Sequence, residues 1–198
     1  GGSPSLVRHC RGHIHTDDTP RWSPDGSQIA FTSTRSGSTQ IWVLDLSGGE
    51  ARQLTRFKAS LGGALWANNS HAWSPDGKWI ACVSRGDVEA DAPTLETDMR
   101  IVERTFYKWS GGFNPNRPTH IWVVPVEGGD PRQLTDDDQD DHSLCWSPDS
   151  SEIAFVSNRT GDWDNNANND LFAVSLRTGR GRCITDTPGP EFTPAWSP

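Results

Sequence analysis

The chain has a single tyrosine and a single methionine in 198 residues, and nowhere the run of about 18 apolar residues that a membrane-crossing helix needs. Its opening, GGSPSLVRHC, lacks the apolar centre of a secretory signal. Neither insertion nor export is indicated, so a cytoplasmic protein without a membrane partner is expected. Basic residues are also few, 18 Lys and Arg against 26 Asp and Glu for a net charge of −8. Phosphate backbones are met by Lys and Arg, and no basic stripe offsets the acidity, so nucleic acid is not expected as a partner.

The four cysteines, Cys10, Cys82, Cys145 and Cys183, form no C-x-x-C pair, which removes the zinc ribbon and the redox motif. Reduced thiols of a cytosolic protein are the expectation. Two N-x-S/T triplets, Asn68-Asn69-Ser70 and Asn158-Arg159-Thr160, would matter only in a secretory compartment. Helical periodicity with caps is missing as well. The nearest candidate is Thr97-Asp98-Met99-Arg100, after which Arg117-Pro118 and several glycines break the pattern.

What the chain has in excess is tryptophan and turn residues: 10 Trp, 19 Gly and 14 Pro, with 33% of residues apolar and 22% charged. That is the composition of a soluble, turn-rich globular protein. The tryptophans mark a repeat. Trp22-Ser23-Pro24-Asp25-Gly26 recurs as Trp73-Ser74-Pro75-Asp76-Gly77, as Trp146-Ser147-Pro148-Asp149-Ser150 and as Trp196-Ser197-Pro198, at spacings of 51, 73 and 50 residues.

Each copy carries the same later landmarks. Ile29-Ala30-Phe31, Ile80-Ala81-Cys82 and Ile153-Ala154-Phe155 come first, then Ile41-Trp42-Val43, Ile121-Trp122-Val123 and Leu171-Phe172-Ala173. Gly48-Gly49, Gly128-Gly129 and Thr178-Gly179 follow, and Gln53-Leu54-Thr55, Gln133-Leu134-Thr135 and Cys183-Ile184-Thr185 close the unit. Four landmarks imply four strands per repeat.

Ser-Pro-Asp-Gly is hairpin chemistry, with Pro where φ is near −65°, Asp where its carboxylate bonds the backbone and Gly where φ is positive. Ser150 stands where the other copies have Gly, so strain is expected there. The strand after each turn is apolar at consecutive positions, which requires cover on both faces. A blade packed between two neighbours provides it, whereas a two-layer sandwich predicts cleaner alternation. The fold expected is therefore all-β, a β-propeller of four-stranded antiparallel blades with about three blades present, a partial propeller.

The spacing divides the chain into an outer strand of a preceding blade at 1–12, with Val7-Arg8-His9-Cys10 as its strand, and a blade at 13–55. A second blade at 56–135 carries an insertion at 86–119, a third spans 136–185, and the start of the next follows at 186–198. A closed ring takes about four to eight blades. The expectation is a fragment of a larger propeller protein, with self-association through exposed blade edges as the alternative.

The W-S-P-D-G, I-A-F, I-W-V and Q-L-T string resembles the WD40-like PD40 repeat of TolB-like proteins and of the non-catalytic domain of serine peptidases in the prolyl oligopeptidase family. The insertion, Arg104-Thr105-Phe106-Tyr107-Lys108-Trp109 followed by Gly111-Gly112 and Thr119-His120-Ile121-Trp122-Val123, is similar to the acylaminoacyl peptidase branch. The Ser157-Asn158-Arg159 step and the Asp- and Asn-rich loop at 162–170 are similar to that branch too.

Such peptidases carry an α/β-hydrolase domain with a nucleophile in G-x-S-x-G, a motif absent from this chain. No catalytic residue is carried over. The resemblance implies an accessory propeller that gates access of short peptides to a hydrolase domain. Its partners would be the α/β-hydrolase domain of the parent chain and the peptide substrate. The other reading is a TolB-like scaffold for protein–protein binding with no hydrolase domain. A stand-alone lactonase-like or sugar-binding propeller would need inward carboxylates or His ligands at a central channel, and no such cluster can be named.

Substrate-facing candidates are Arg104, Tyr107 and Lys108, because the insertion is the one non-repeating part; alternatively Phe106, Tyr107 and Trp109 only fix it to the blade edge. His13-Ile14-His15 puts two imidazoles on one face of an extended strand, but without further ligands a solvated loop is the better reading. The run Asp136-Asp137-Asp138-Gln139-Asp140-Asp141 is read as a solvated connection rather than a calcium site. The loop from Asp162 to Asn168 has oxygen ligands at alternate positions, yet Ala167 and Ala173 stand where a calcium loop needs Gly and Glu. No metal and no cofactor is expected.

Overall fold

The computed structural model describes residues 15–58, 60–61, 70–86, 117–163 and 165–197, with the backbone of 108–109 and 112–113. The outer strand expected at 1–12 and the helical candidate Thr97-Asp98-Met99-Arg100 lie outside these residues.

Three four-stranded antiparallel sheets follow the three copies of the repeat. The first is β1 (Asp17–Trp22), β2 (Gln28–Ser33), β3 (Gln40–Asp45) and β4 (Arg52–Gln53), in chain order. The second is built from β5 (His71–Trp73), β6 (Trp79–Ser84), β9 (His120–Pro125) and β10 (Arg132–Gln133). Between its middle strands a small ladder, β7 (Lys108–Trp109) with β8 (Gly112–Phe113), belongs to the insertion. The third is β11 (Asp141–Trp146), β12 (Glu152–Ser157), β13 (Asp170–Ser175) and β14 (Gly181–Cys183). With no α-helix among the described residues, the architecture is that of a partial all-β propeller.

The turn chemistry explains why β1 and β2 meet where they do. Ser23 Oγ donates to Asp25 Oδ1 at 2.7 Å and accepts from the Gln28 N–H at 2.9 Å, while Asp25 also holds the Ser27 N–H. The second and third copies repeat the arrangement with Ser74, Asp76 and Lys78, and with Ser147, Asp149 and Ser151. Gly26 and Gly77 both have φ +72°, and Ser150 adopts φ 61° in the same place. The strain expected at Ser150 is present, at a cost of about 1 kcal/mol for an L-residue in this region. Ser150 Oγ offsets it by accepting the Asp76 N–H of the neighbouring sheet at 3.0 Å.

The Thr that closes each repeat has a structural task. Thr55, Thr135 and Thr185 accept the backbone N–H of Ile41, Ile121 and Leu171 through Oγ1 at 2.8–2.9 Å. Each outer strand therefore ends its ladder early, and the hydroxyl completes the pairing of the third strand.

Both faces of the middle sheet are buried. Ile80, Cys82 and Val124 pack against Ala30, Ile41, Val43, Leu54 and Phe57 of the first sheet. Ala81, Val83, Ile121 and Val123 pack against Leu144, Trp146, Ile153, Phe155 and Phe172 of the third. This is the physical reason for consecutive apolar residues in β6 and β9, because each alternate face meets a different neighbour.

Candidate functional site

At the ends of the sheets where second strands leave and third strands enter, each interface carries a cluster that the landmarks did not announce. In the third sheet β12 ends at Ser157, and the chain turns so that Arg159 folds back over it. The guanidinium lies 5.6 Å from the Phe155 ring centre and 4.5 Å from that of Phe172. Its Nη2 reaches Asp137 at 2.7 Å and Asp141 at 3.3 Å. Arg35 in the first sheet stands over Phe31 and Trp42 and bonds Asp17 at 2.8 Å. In each, a half-buried guanidinium stacks on aromatic faces while the Asp17 or Asp137 carboxylate it pairs with stays exposed.

The second sheet solves the same problem without charge. Where Arg35 and Arg159 stand, this copy has Gly86, at φ +75°. Trp122 fills the space, so that a Cβ on Gly86 would sit 2.6 Å from its Cζ2. The Trp122 indole donates to the Ser84 carbonyl at 3.1 Å, and Phe57 meets its ring edge-on with centroids 5.2 Å apart. Counting two residues past the closing Thr, Phe57 and Asp137 occupy the same repeat position. Gly therefore goes with Phe across one junction, and Arg with Asp across the other.

The acidic run is a solvated connection over Asp136, Asp137 and Asp138, which are exposed, and is drawn into the fold only toward Asp141. Asp137 holds Arg159, Asp140 accepts the Thr119 N–H at 2.8 Å, and Asp141 is fully buried as the first residue of β11. Asp141 Oδ2 and His120 Nδ1, each without a hydrogen-bond partner, face one another at 3.9 Å. A buried carboxylate is tolerable here because Arg159 neutralises it.

A cleft of about 310 Å³ opens between the second and third sheets, with Phe155, Phe172 and Val174 among its lining and Asp136, Asp137, Arg159 and Arg182 supplying its charges. It holds no nucleophile beside a base. The nearest approach to such a pair is elsewhere: Ser70 Oγ lies 3.1 Å from His71 Nδ1 and Ser143 Oγ 2.9 Å from His142 Nδ1. Burial holds the His71 pKa down to about 4 and lowers that of His142, and neither lines the cleft. Both pairs are packing features of the inner strands. Ser143 sits at φ 52°, in the bulge that interrupts β11 between His142 and Cys145.

Of the residues singled out from sequence, Arg104 and Tyr107 lie outside the described residues, and Lys108 is described only as backbone in β7. His13 also lies outside, while His15 stands 3.9 Å from Asp17. In the loop after Asp162, Asn158 Nδ2 is tied to the Asn166 side chain at 2.9 Å and its Oδ1 holds Thr160. The tip is ordered by its own amides. The signal that could have found the charged cluster was the shared Ser-x-Arg at the ends of β2 and β12, with an Asp five positions ahead of Trp22 and of Trp146.

The comparisons with known proteins agree with the fold. The sequence profile of the TolB beta propeller domain, PD40, matches residues 7–119. The uncharacterized peptidase YuxL of Bacillus subtilis (strain 168) is 32% identical over 78% of this chain and 24% of its own length. The Tol-Pal system protein TolB of Anaeromyxobacter dehalogenans (strain 2CP-1 / ATCC BAA-258) is 31% identical over 65% of this chain and 21% of its own. Among solved structures, the acylaminoacyl peptidase of Pyrococcus horikoshii superposes with a TM-score of 0.59 at 19% identity, over 86% of this chain and 25% of that one. That likeness speaks for the fold alone. The chain spans about a quarter of the length of the first of these relatives.

Proposed function

Because this chain belongs to the TolB β-propeller domain family, we propose that it serves as a non-catalytic propeller segment of a serine peptidase of the acylaminoacyl peptidase kind. In that role it gates the access of short peptides to a hydrolase domain carried elsewhere in the parent polypeptide. The observation that carries the reading is the 32% identity to a named peptidase whose length this chain covers by only 24%. The chemistry of the chain is compatible with it. The blades are fastened to each other by buried apolar faces and by the Arg159 and Trp122 clusters, a rigid frame suited to excluding folded substrates. Arg104, Tyr107 and Lys108 are proposed to face peptide, since the insertion leaves the second sheet beside Gly86, at the end that carries the charged clusters.

A length series of N-acylated peptides, assayed on the native polypeptide, tests the gating. Hydrolysis that falls off sharply as the peptide lengthens is the expected result. Equal rates for short peptides and folded protein substrates would contradict it.

The similarity to TolB keeps a second reading in view, a scaffold that docks protein partners with no hydrolase attached. Under that reading the cleft flanked by Asp137 and Arg159 is the docking groove, and no hydrolysis of any peptide is expected.

A further inference from the structure

The hairpin that joins the third and fourth strands has the same length in every copy, so its positions compare one by one. Ser47, Gly48, Gly49 and Glu50 of the first sheet correspond to Glu127, Gly128, Gly129 and Asp130 of the second, and to Arg177, Thr178, Gly179 and Arg180 of the third. Two positions therefore change sign. Where the second copy presents Glu127 and Asp130, the third presents Arg177 and Arg180, and all four are exposed. Arg182 follows, which puts three arginines close together in a chain whose net charge is −8.

The three differ in what they hold. Arg182 bonds Glu152 at 2.6 Å, and its counterparts Arg52 and Arg132 donate to the Val126 and Leu176 carbonyls of the following sheet. That position serves packing. The guanidinium groups of Arg177 and Arg180 have no acceptor among the described residues. Their backbone is fixed nonetheless: Gly179 turns at φ 68°, its N–H bonds the Ser175 carbonyl at 2.9 Å, and the Ser175 N–H bonds the Arg180 carbonyl at 3.1 Å. A braced turn has little backbone order left to lose when a partner arrives. Because β14 is the edge strand of its sheet, the hairpin stands at the rim, open to another molecule.

We propose that this hairpin docks an acidic segment of another protein, with Arg177 and Arg180 receiving its carboxylates. A planar guanidinium takes a carboxylate through two parallel N–H donors. The net charge of −8 repels a long polyanion such as nucleic acid, whose phosphates reach beyond the screening length of about 8–10 Å. A short acidic stretch that meets the hairpin alone is what fits. Exposed ion pairs are individually weak, so the contact is transient and sensitive to salt. The inference rests on the exchange of charge within the repeat and holds for a peptidase and for a scaffold alike.

Fluorescence anisotropy of a labelled oligoglutamate peptide, titrated with the native polypeptide at low salt, tests it. The variant to compare is Arg177→Glu/Arg180→Asp, which gives the hairpin the charges that the second copy already folds with at Glu127 and Asp130. Saturable binding by the wild type, at least about tenfold weaker in that variant at unchanged Tm and falling as salt rises, is the expected result. Arg177→Gln/Arg180→Gln should lie between the two. Three results would overturn the inference: no binding of oligoglutamate by the wild type; equal binding by the wild type and both variants; or tighter binding of a polyphosphate chain of equal charge, which would assign the hairpin to phosphate.

Discussion

The packing of Trp122 over Gly86 gives a prediction whose size can be separated into two parts. Gly86 and Gly26 have nearly the same backbone, φ +75° and +72°, but a Cβ on Gly26 meets nothing within 4 Å, whereas one on Gly86 would lie 2.6 Å from Trp122 Cζ2. Replacing either by Ala forces an L-residue into the left-handed region and costs about 1 kcal/mol. Only Gly86→Ala adds overpacking against the partly buried Trp122 indole, worth about 1–3 kcal/mol more. For a chain of this size each kcal/mol moves Tm by about 2–4 °C. Thermal and urea unfolding of the two variants should therefore show a loss of about 3 °C for Gly26→Ala and about 4–16 °C for Gly86→Ala. Trimming the indole in Gly86→Ala/Trp122→Leu should bring the glycine substitution back to the cost of the backbone alone, measured against Trp122→Leu. Equal losses for Gly26→Ala and Gly86→Ala would refute the packing argument, because the clash is the only difference between them.

Other substitutions follow from the same contacts. Ser150→Ala and Ser150→Gly both lose the bond to the Asp76 N–H, but only Ala keeps a Cβ at φ 61°, so it should be about 1 kcal/mol less stable than Ser150→Gly by denaturant titration. Arg159→Ala leaves Asp141 buried without its cation and should lose about 3–5 kcal/mol, while adding Asp141→Asn to that variant should recover part of the loss. Asp25 is held at about 2, foremost by the Ser23 hydroxyl and then by Ser27, and Asp149 is lowered, foremost by Ser147 and then by Ser151. Folded carboxyls held below the unfolded value stabilise fully above about pH 4 and lose that contribution as pH falls toward 2. Asp25→Asn should flatten the decline of stability across that window, and an unchanged slope would count against the turn as its source.

The repeat was legible because turn residues and closing strands are local: Pro and Gly at fixed offsets after Trp22 and Trp73, and the apolar pairs of β2, β6 and β12, announce themselves in single stretches. Ser150 could be read as strained because the other copies fix what its φ must be. The junctions were harder. Asp137 and Arg159 are far apart in sequence, and an acidic run looks solvated until its partner is known. The exchange of Phe57 and Gly86 for Asp137 and Arg159 involves two sheets at once, so no single copy of the repeat displays it. The insertion carried the functional resemblance but none of the repeat, and its side chains fall outside the described residues.

The proposal as a whole turns on what the parent polypeptide is. Labelling the native polypeptide with a fluorophosphonate and weighing it intact tests this most directly. A polypeptide several times the mass of this chain that takes up one probe is the result predicted for a propeller segment gating a serine peptidase, and a propeller-sized polypeptide that takes up none would contradict it in favour of the scaffold.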